Sequence, residues 1–403
     1  MVRLYISMER TDKYMKKMMN KQSSKYLIVL PSLNIGGAEK QALGLAIYLK
    51  NMGRNVTILS NVKRGPICDL CENEHILWNS IEHPNMFLYK ILRCLELIHI
   101  LPKTIRPYND AMAIMLAKYI KGENFDYCLA YCSNSGVWLG RAAKYYHGAK
   151  YAWYQRDAGI FNSGDEYEKS AIKACDFVLA NSVSGKQYIE KQFKVATTII
   201  NNGVKLKQAE MSSVKWKEKL KVADNVVLCT MVANLHSAKD HLSILKIWDG
   251  LKRIDSINTP ILILAGRFDD KYQELLDFTK EHGLEEYVRF LGPISDITGL
   301  LSVTDICVFG AKSEGSPNGI IEATLMSLPV MATDLPEIRA VVSDNNVPFL
   351  FNKDDIEDGV SKMRQLIVNP NLRYKLGCEN LEKSKVEFDE ERNFKKLIQL
   401  LEG

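Results

Sequence analysis

Residues 305–337 read DICVFGAKSEGSPNGIIEATLMSLPVMATDLPE. The apolar runs Ile306–Phe309 and Pro329–Ala332 have the length and composition of buried strands, and Gly319–Ser327 between them has the composition of a helix. A strand, a helix and a second strand in this order form a βαβ unit, which requires parallel pairing of the two strands. The stretch therefore predicts an α/β fold.

The candidate binding residues lie around the start of this helix. Ser316 or Asn318 is the expected N-cap residue, and the free N–H groups and positive dipole end of a helix start favour an anion such as phosphate. Glu314 precedes the helix and Glu322 lies inside it. Because carboxylates repel phosphate, these two acids should bind hydroxyl groups. A ligand with both hydroxyls and phosphates, such as a nucleotide sugar, fits this combination.

The run EGSPNGIIEA, followed by LPVMATDLPE, resembles the signature of the retaining glycosyltransferases of family 4. The resemblance implies the GT-B fold, an α/β architecture of two Rossmann-like domains whose parallel sheets face an interdomain cleft. It implies sugar transfer from a nucleotide sugar to a hydroxyl group with retention. The implied donor contacts are Glu314 on the sugar, Glu322 on the ribose, and the backbone of Gly315, Ser316, Pro317, Asn318 and Gly319 on the diphosphate.

Composition is that of a globular protein. The chain has 403 residues, 46% hydrophobic and 25% charged, a length that suits two domains. The sequence has no uninterrupted apolar stretch of 18 residues, so no transmembrane helix is predicted. The N-terminus lacks the sustained apolar core of a signal peptide. We therefore expect a cytoplasmic protein whose nine cysteines are reduced thiols.

Charge differs between the two halves of the chain. Residues 1–200 hold 27 Lys and Arg against 17 Asp and Glu, whereas residues 201–403 hold 26 against 31. The basic half suits an anionic partner; no nucleic-acid motif accompanies it, so peripheral contact with the inner face of a membrane is the expectation. The apolar helix predicted over 86–101 is either buried or pressed against such a membrane.

The first half begins with a second βαβ unit, made of Tyr26–Leu30, Ala38–Leu49 and Asn55–Ser60. Gly36 and Gly37 lie at its turn, where small residues let a ligand approach the backbone. The run is not G-x-G-x-x-G, which weakens the dinucleotide interpretation. By resemblance, this glycine loop faces the donor diphosphate and the acceptor.

Two further sites come from the first half. Arg156 and Asp157 follow a predicted strand, at the sheet edge where open α/β sheets bind ligands, and we expect contact with the donor sugar or the acceptor. Cys68 and Cys71 form C-x-x-C without a second ligand pair, so we interpret them as small buried residues rather than a zinc site. No metal or other cofactor is expected.

In the second half, Lys239 stands just before a predicted helix, where it suits a departing diphosphate. By resemblance, Asn234 belongs to the same site. The family usually has arginine or asparagine at this position, so Asn234 keeps the hydrogen bond but lacks the charge of arginine. Arg267 follows the strand Pro260–Ala265, and by resemblance the backbone near Leu291 and Ile294 contacts the nucleotide base.

The expected organisation has four parts. A basic tail covers 1–23, a Rossmann-like acceptor domain 24–203, a Rossmann-like nucleotide-sugar domain 204–386, and a C-terminal helix 387–403 that packs back on the first domain. The turn INNGVK at residues 200–205 marks the passage between domains, although the family's usual proline is replaced by Asn201.

These patterns predict a metal-independent hexosyltransferase with Glu314, Lys239 and Asp157 as catalytic residues and a UDP-sugar as the favoured donor. By resemblance to the family, the acceptor would be a glycan or lipid-linked intermediate of surface-polysaccharide assembly. Three alternatives remain: a nucleotide-sugar epimerase of the same architecture, a non-catalytic sugar-nucleotide-binding protein, and a nicotinamide dehydrogenase, against which the missing dinucleotide fingerprint counts.

Overall fold

The computed structural model describes residues 24–34, 36–81, 90–91, 94–95, 98, 106–131, 133–223 and 225–403. These residues form two compact units. The first comprises the described residues up to Asn202 together with Glu391–Gly403, and the second comprises Gly203–Glu390. The predicted tail 1–23 and most of the apolar helix predicted over 86–101 lie outside the described residues.

The first unit is a parallel α/β sheet. Its described strands are β1 (Lys25–Leu30), β2 (Asn55–Ser60), β3 (Leu77–Ser80), β4 (Tyr127–Tyr131), β5 (Lys150–Gln155), β6 (Phe177–Ala180) and β7 (Thr198–Ile199). They pair in parallel in the order β3-β2-β1-β4-β5-β6-β7. Its described helices are α1 (Gly37–Asn51), α2 (Pro66–Asn73), α3 (Pro107–Glu123), α4 (Ser133–Ala142), α5 (Glu166–Ile172) and α6 (Val183–Phe193).

The second unit repeats this plan with five described strands. They are β8 (Leu228–Val232), β9 (Ile261–Ala265), β10 (Val288–Gly292), β11 (Ile306–Phe309) and β12 (Val330–Ala332), paired in parallel as β10-β9-β8-β11-β12. The helices are α7 (Ser213–Leu220), α8 (His241–Lys252), α9 (Tyr272–Glu281), α10 (Ile297–Leu301), α11 (Asn318–Leu325), α12 (Pro336–Val341), α13 (Ile356–Val368) and α14 (Pro370–Glu387), with a 3₁₀ helix over Asp344–Phe349.

Strand β1 shows why these sequences form buried parallel sheets. Leu27 and Val29 pack into the core beneath one face of the sheet, while Tyr26, Ile28 and Leu30 pack into the core beneath the other. Because both faces are covered, the strand is almost continuously apolar instead of alternating. The same pattern in β11 explains why Ile306–Phe309 was predicted with the bounds that the structure gives.

The last helix, α15 (Glu390–Glu402), belongs to the first unit from Glu391 onward. Its apolar face, which includes Leu397 and Leu401, joins the core that contains Tyr26. The carboxylate of Glu402 accepts hydrogen bonds from the Tyr26 hydroxyl at 2.7 Å and from Arg54 Nε at 3.1 Å. The final residues of the chain are therefore part of the first hydrophobic core.

No helix within the described ranges has the length and apolarity needed to cross a membrane.

The carboxylate of Asp296 links two segments of the second unit. Its buried carboxylate accepts four N–H groups: the backbone of Glu210 and Met211 at 3.0 Å, the backbone of Gly299 at 2.9 Å, and Trp216 Nε1 at 2.8 Å. Burial opposes ionisation, but these donors outweigh it and lower the pKa of Asp296. One carboxylate thus anchors the segment before α7 to the start of α10.

Asp296→Asn should destabilise the chain by about 1–3 kcal/mol at neutral pH, because an amide offers one acceptor oxygen and turns its NH₂ towards N–H donors. Since the folded-state pKa is lowered, the wild-type contribution is present above the unfolded pKa of ~3.9 and is lost as pH falls through the folded value. Urea unfolding of both proteins at pH 7 and near pH 3 measures this. Asp255→Asn, at an exposed carboxylate, is the control; equal stability of the two variants at pH 7 would contradict the assignment.

Candidate functional site

The centre of the candidate site is an ion pair between Lys239 and Glu314, residues 75 positions apart. Lys239 lies in the loop after β8 and Glu314 in the loop after β11, which are neighbouring strands. The two side chains are 18% and 7% exposed. Both charged groups were predicted from the sequence as site residues, and the structure brings them into direct contact.

Backbone pairing fixes the position of Lys239. The N–H of Asp240 donates to the Gly310 carbonyl at 2.9 Å, and the N–H of Lys312 donates to the Ala238 carbonyl at 3.3 Å. The loop before α8 therefore lies along the residues that follow β11. Lys239 Nζ also lies 4.9 Å from the centroid of the Phe309 ring, an attractive cation–π arrangement.

Burial shapes the chemistry of Glu314. It raises the pKa of the Glu314 carboxyl, the nearby charge of Lys239 opposes this effect, and the charge of Glu337 adds to it. Glu337 lies on α12 and is itself only 7% exposed. Glu337 was not predicted as a site residue, although it ends the DLPE run that completes the motif.

The start of α11 differs from the prediction. The N-cap position is occupied by Pro317, which makes no side-chain hydrogen bond to the helix, so the prediction of Ser316 or Asn318 as the N-cap residue is wrong. The Ser316 contribution is instead its carbonyl, which accepts the Asn318 N–H at 3.0 Å. At Gly319 a Cβ atom would lie 2.5 Å from the Val232 carbonyl oxygen, so the close approach of α11 to the end of β8 requires glycine.

Glu322 is the fifth residue of α11 and is half-buried. Its charge adds to the effect of burial in raising the pKa of the Cys307 thiol on β11 to about 12. Gly315, two residues before the N-cap, is likewise half-buried. The motif thus puts one acid before the helix and another on the helix, beside β11.

The ends of β8, β9 and β10 hold the other predicted donor residues. The side-chain oxygen of Asn234 accepts the backbone N–H of Arg267 at 3.0 Å, which ties the end of β8 to that of β9. The Arg267 guanidinium is 61% exposed and lies 3.5 Å from Asp269. Leu291 and Ile294 are half-buried, and their side chains pack against the small hydrophobic core around Trp216.

In the first unit, Arg156 is held by aromatic rings. Its guanidinium carbon lies 5.1 Å and 4.8 Å from the ring centroids of Tyr131 and Tyr154, and its Nη2 donates to the side-chain oxygen of Asn202 at 2.6 Å. It forms no ion pair with a carboxylate of the described residues. A fixed cation at the end of β5 is suited to an anionic or hydroxyl-rich ligand.

Asp157 next to it has a different environment. Its Oδ1 accepts the backbone N–H groups of Gly159 at 2.7 Å and Ile160 at 2.9 Å, and it also accepts from the Gln155 side chain at 3.2 Å. This carboxylate orders the loop after β5. Its position at the sheet edge after β5 agrees with the prediction, whereas the bonding of one carboxylate oxygen to the loop is not apparent from the sequence.

The glycine loop of the first unit also contains an acid. Gly36 occupies the N-cap position of α1, and Gly37 is the first residue of that helix. A Cβ on Gly36 would lie 2.5 Å from Oε2 of Glu39, whose carboxylate is buried and accepts from the Ser32 hydroxyl at 2.7 Å. A carboxylate at this helix start favours hydroxyl groups over phosphate.

The C-x-x-C motif of Cys68 and Cys71 lies within the described residues. No group of three or more His, Cys, Asp or Glu side chains among them has the spacing to hold a metal ion. Cys68 and Cys71 lie on α2 as free, fully buried thiols in the first hydrophobic core. Their packing agrees with the interpretation of this C-x-x-C as apolar.

Comparison with known proteins identifies the family. A model described as Glycosyltransferase Family 4 matches residues 35–208, and one described as Glycosyl transferases group 1 matches residues 226–369. An uncharacterised glycosyltransferase of Haemophilus influenzae is 26% identical over 204 residues, which are 50% of this chain and 54% of that protein. The chain thus spans about half the length of this relative.

Solved structures share the fold. A glycosyltransferase from Rickettsia africae superposes with a TM-score of 0.78 at 22% identity, covering 94% of this chain and 98% of the other. Anabaena Alr3699/HepE, in complex with UDP, superposes with a TM-score of 0.76 at 18% identity, covering 94% and 99%. The two matched family regions and the two parallel-sheet units confirm the expected fold class of two Rossmann-like domains. The chain belongs to the family 4 glycosyltransferases of GT-B fold.

Proposed function

We propose that this chain transfers a hexose from a nucleotide sugar, preferably a UDP-sugar, to a hydroxyl group with retention of anomeric configuration. The observation that carries the proposal is the buried Lys239–Glu314 pair beside the start of α11. The cation and the helix start suit the diphosphate of such a donor, and the carboxylate suits its hydroxyl groups. HepE, which shares this fold, is known in complexes with UDP and with UDP-glucose, which supports the choice of UDP.

Each part of the donor has a proposed partner. Glu314 accepts hydrogen bonds from sugar hydroxyls, and Glu322 accepts them from the ribose. Lys239 and the N–H groups over residues 315–319 bind the diphosphate, with Asn234 and Arg267 at the same strand edge. The backbone near Leu291 and Ile294 contacts the base. The Asn318 N–H already donates to Ser316, so the other N–H groups of the loop carry most of this role.

The proposed catalysis depends on stabilising the negative charge that develops on the departing diphosphate. The bond between the sugar and the diphosphate oxygen breaks, and the diphosphate leaves with the electron pair. The acceptor oxygen bonds to the same sugar carbon, and its proton passes to the departing diphosphate. Negative charge grows on the leaving group beside Lys239 and the positive end of α11, which lowers the barrier. Preorganised donors of this kind are each worth about 3 kcal/mol, so we propose transfer without a metal ion.

The acceptor site is proposed in the first unit. Arg156 contacts the acceptor or the donor sugar, while Asp157 acts there by holding the loop in which it lies. Gly36 and Gly37 let a ligand approach, and the adjacent Glu39 favours hydroxyls of the sugar or acceptor. We propose a glycan or lipid-linked acceptor of surface-polysaccharide assembly, reached by a cytoplasmic protein that contacts the inner face of the membrane.

A nucleotide panel tests the proposal. Calorimetric titration with UDP, GDP and NAD should give the tightest binding for UDP, and incubation with UDP-hexoses should then release UDP when acceptor alcohols are added. Binding without release would favour a non-catalytic binding protein, and a change of sugar configuration without release would favour an epimerase. Tighter binding of NAD than of either nucleotide would overturn the proposal.

A further inference from the structure

The second unit contains a cleft of about 210 Å³ whose lining is rich in lysine. This volume far exceeds the roughly 10–15 Å³ needed to hold one water molecule. Five lysines line it: Lys239, Lys246, Lys271, Lys312 and Lys353. Three carboxylates, those of Asp240, Glu274 and Asp354, share the lining, so the lysines exceed the acids by two.

Three of these lysines have no partner in the described part of the chain. Lys246, Lys312 and Lys353 are exposed and make no side-chain hydrogen bond or ion pair there. The other two are paired, Lys239 with Glu314 and Lys271 with Glu274. Unpaired cations that converge on one cleft repel each other, and a bound anion relieves this repulsion.

Most of the acids at the cleft have other partners. Asp240 accepts from the backbone and the hydroxyl of Ser243, where it caps α8, and Glu274 bonds Lys271. His241 adds no positive charge, because burial lowers its pKa to about 4, against a smaller opposing effect of the Ala233 backbone. The local electrostatics are therefore set by the three exposed lysines and Asp354.

Helix starts reinforce the positive potential. Lining residues include the first turns of α8 and α9, and the pair Lys353 and Asp354 lies just before α13. Each helix start carries a partial positive charge, which adds to that of the lysines. Three helix starts and three unpaired lysines on one cleft are an arrangement suited to an oxyanion.

We propose that this cleft is a second anion site, separate from the diphosphate position of the donor, and that it binds a phosphate group. The shared chemistry is a phosphate carried either by a soluble molecule or by a lipid headgroup. Lys239 borders both sites, so an anion in the cleft would also influence the Lys239–Glu314 pair. The inference stands on the cleft itself and does not require that the chain transfer sugars.

The test uses two triple variants of the full chain. The cleft variant changes Lys246, Lys312 and Lys353 to Gln. The matched control changes Lys215, Lys280 and Lys385 to Gln; these are exposed lysines of the same unit, outside the cleft and also without a partner among the described residues. Both variants lose the same charge, and Lys239 is unaltered because it belongs to the proposed donor site.

Inorganic pyrophosphate is titrated calorimetrically at ~0.1 M salt, where charges more than about 10 Å apart are largely screened, with and without saturating UDP. We expect the cleft variant to lose affinity for pyrophosphate about tenfold or more, and the control to stay within twofold of the wild type. Equal losses in both variants would overturn the site, because they would reflect net charge alone. Pyrophosphate binding abolished by UDP would also overturn it, since the cleft would then be part of the donor site.

Vesicles distinguish the source of the phosphate. Co-sedimentation with phosphatidylglycerol vesicles, compared with phosphatidylcholine vesicles, should weaken in the cleft variant and persist in the control if the phosphate belongs to a lipid. Pyrophosphate binding that depends on the cleft, together with vesicle binding that does not, identifies a soluble ligand. Absence of both cleft-dependent effects would refute the proposal, whereas failure of UDP to bind would affect the proposed function only.

Discussion

Glu314→Gln should lower the turnover of sugar transfer about 100-fold or more while the chain remains folded. The amide preserves the shape of the side chain but removes the charge that balances Lys239 and that we propose binds donor hydroxyls. Loss of one preorganised catalytic interaction commonly costs a factor of 10²–10³ in turnover. The measurement is kcat for UDP release from the preferred donor, together with a thermal melt that verifies folding.

Glu382→Gln, at an exposed acid on α14, is the matched control and should retain wild-type turnover. The pH profile gives a second readout. Because the pKa of Glu314 is raised, wild-type activity that needs the carboxylate should fall on acidification at a higher pH than for an ordinary glutamate. That acidic limb should disappear from the residual activity of Glu314→Gln; turnover within threefold of the wild type would remove Glu314 from the mechanism.

Lys239→Met should weaken UDP binding and destabilise the second unit together. The variant keeps a long apolar side chain but removes the cation that lies over Phe309 and leaves Glu314 buried without its partner. Removing one partner of a buried ion pair typically costs about 3–5 kcal/mol. The loss of a charge-assisted contact to phosphate should weaken UDP binding about tenfold or more. Urea unfolding and calorimetry with UDP measure the two effects.

The destabilisation should depend on pH in a defined direction. Without Lys239 the pKa of Glu314 rises further, so the folded state binds a proton that the unfolded state has released near its ordinary value of ~4.3. Stability of the variant is then greatest below the unfolded pKa and is lost as pH rises through the folded one. Comparison at pH 5 and pH 8 tests this. Lys280→Met, at an exposed lysine, is the control; identical unfolding of both variants at pH 8 would contradict the ion pair.

The sequence pattern predicted the strands that consist of continuous buried apolar residues. β1, β2 and β11 have the predicted bounds to within one residue, because both faces of these strands are covered. The edge strand β3 was not predicted, since its side chains are exposed or half-buried. It is a strand chiefly because it pairs with β2, and a short sequence window does not reveal pairing.

The site was predictable as separate residues but not as an arrangement. Glu314 and Lys239 came from motifs 75 positions apart, and only the neighbouring positions of β8 and β11 bring them together. The cap of α11 was predicted wrongly, because Ser316 and Asn318 are common capping residues whereas the structure puts Pro317 at that position. Glu337 was missed because its effect on Glu314 acts across space from a different helix.

We propose that this chain breaks the bond between the sugar and the diphosphate of a nucleotide donor. The most direct measurement is proton and phosphorus NMR of the purified chain with a panel of UDP-hexoses and an added acceptor alcohol. We predict UDP release together with a new glycosidic signal of the donor's own anomeric configuration, both formed more slowly by about 100-fold or more with Glu314→Gln. UDP-hexoses that bind but stay intact, or that only change configuration, would contradict the account.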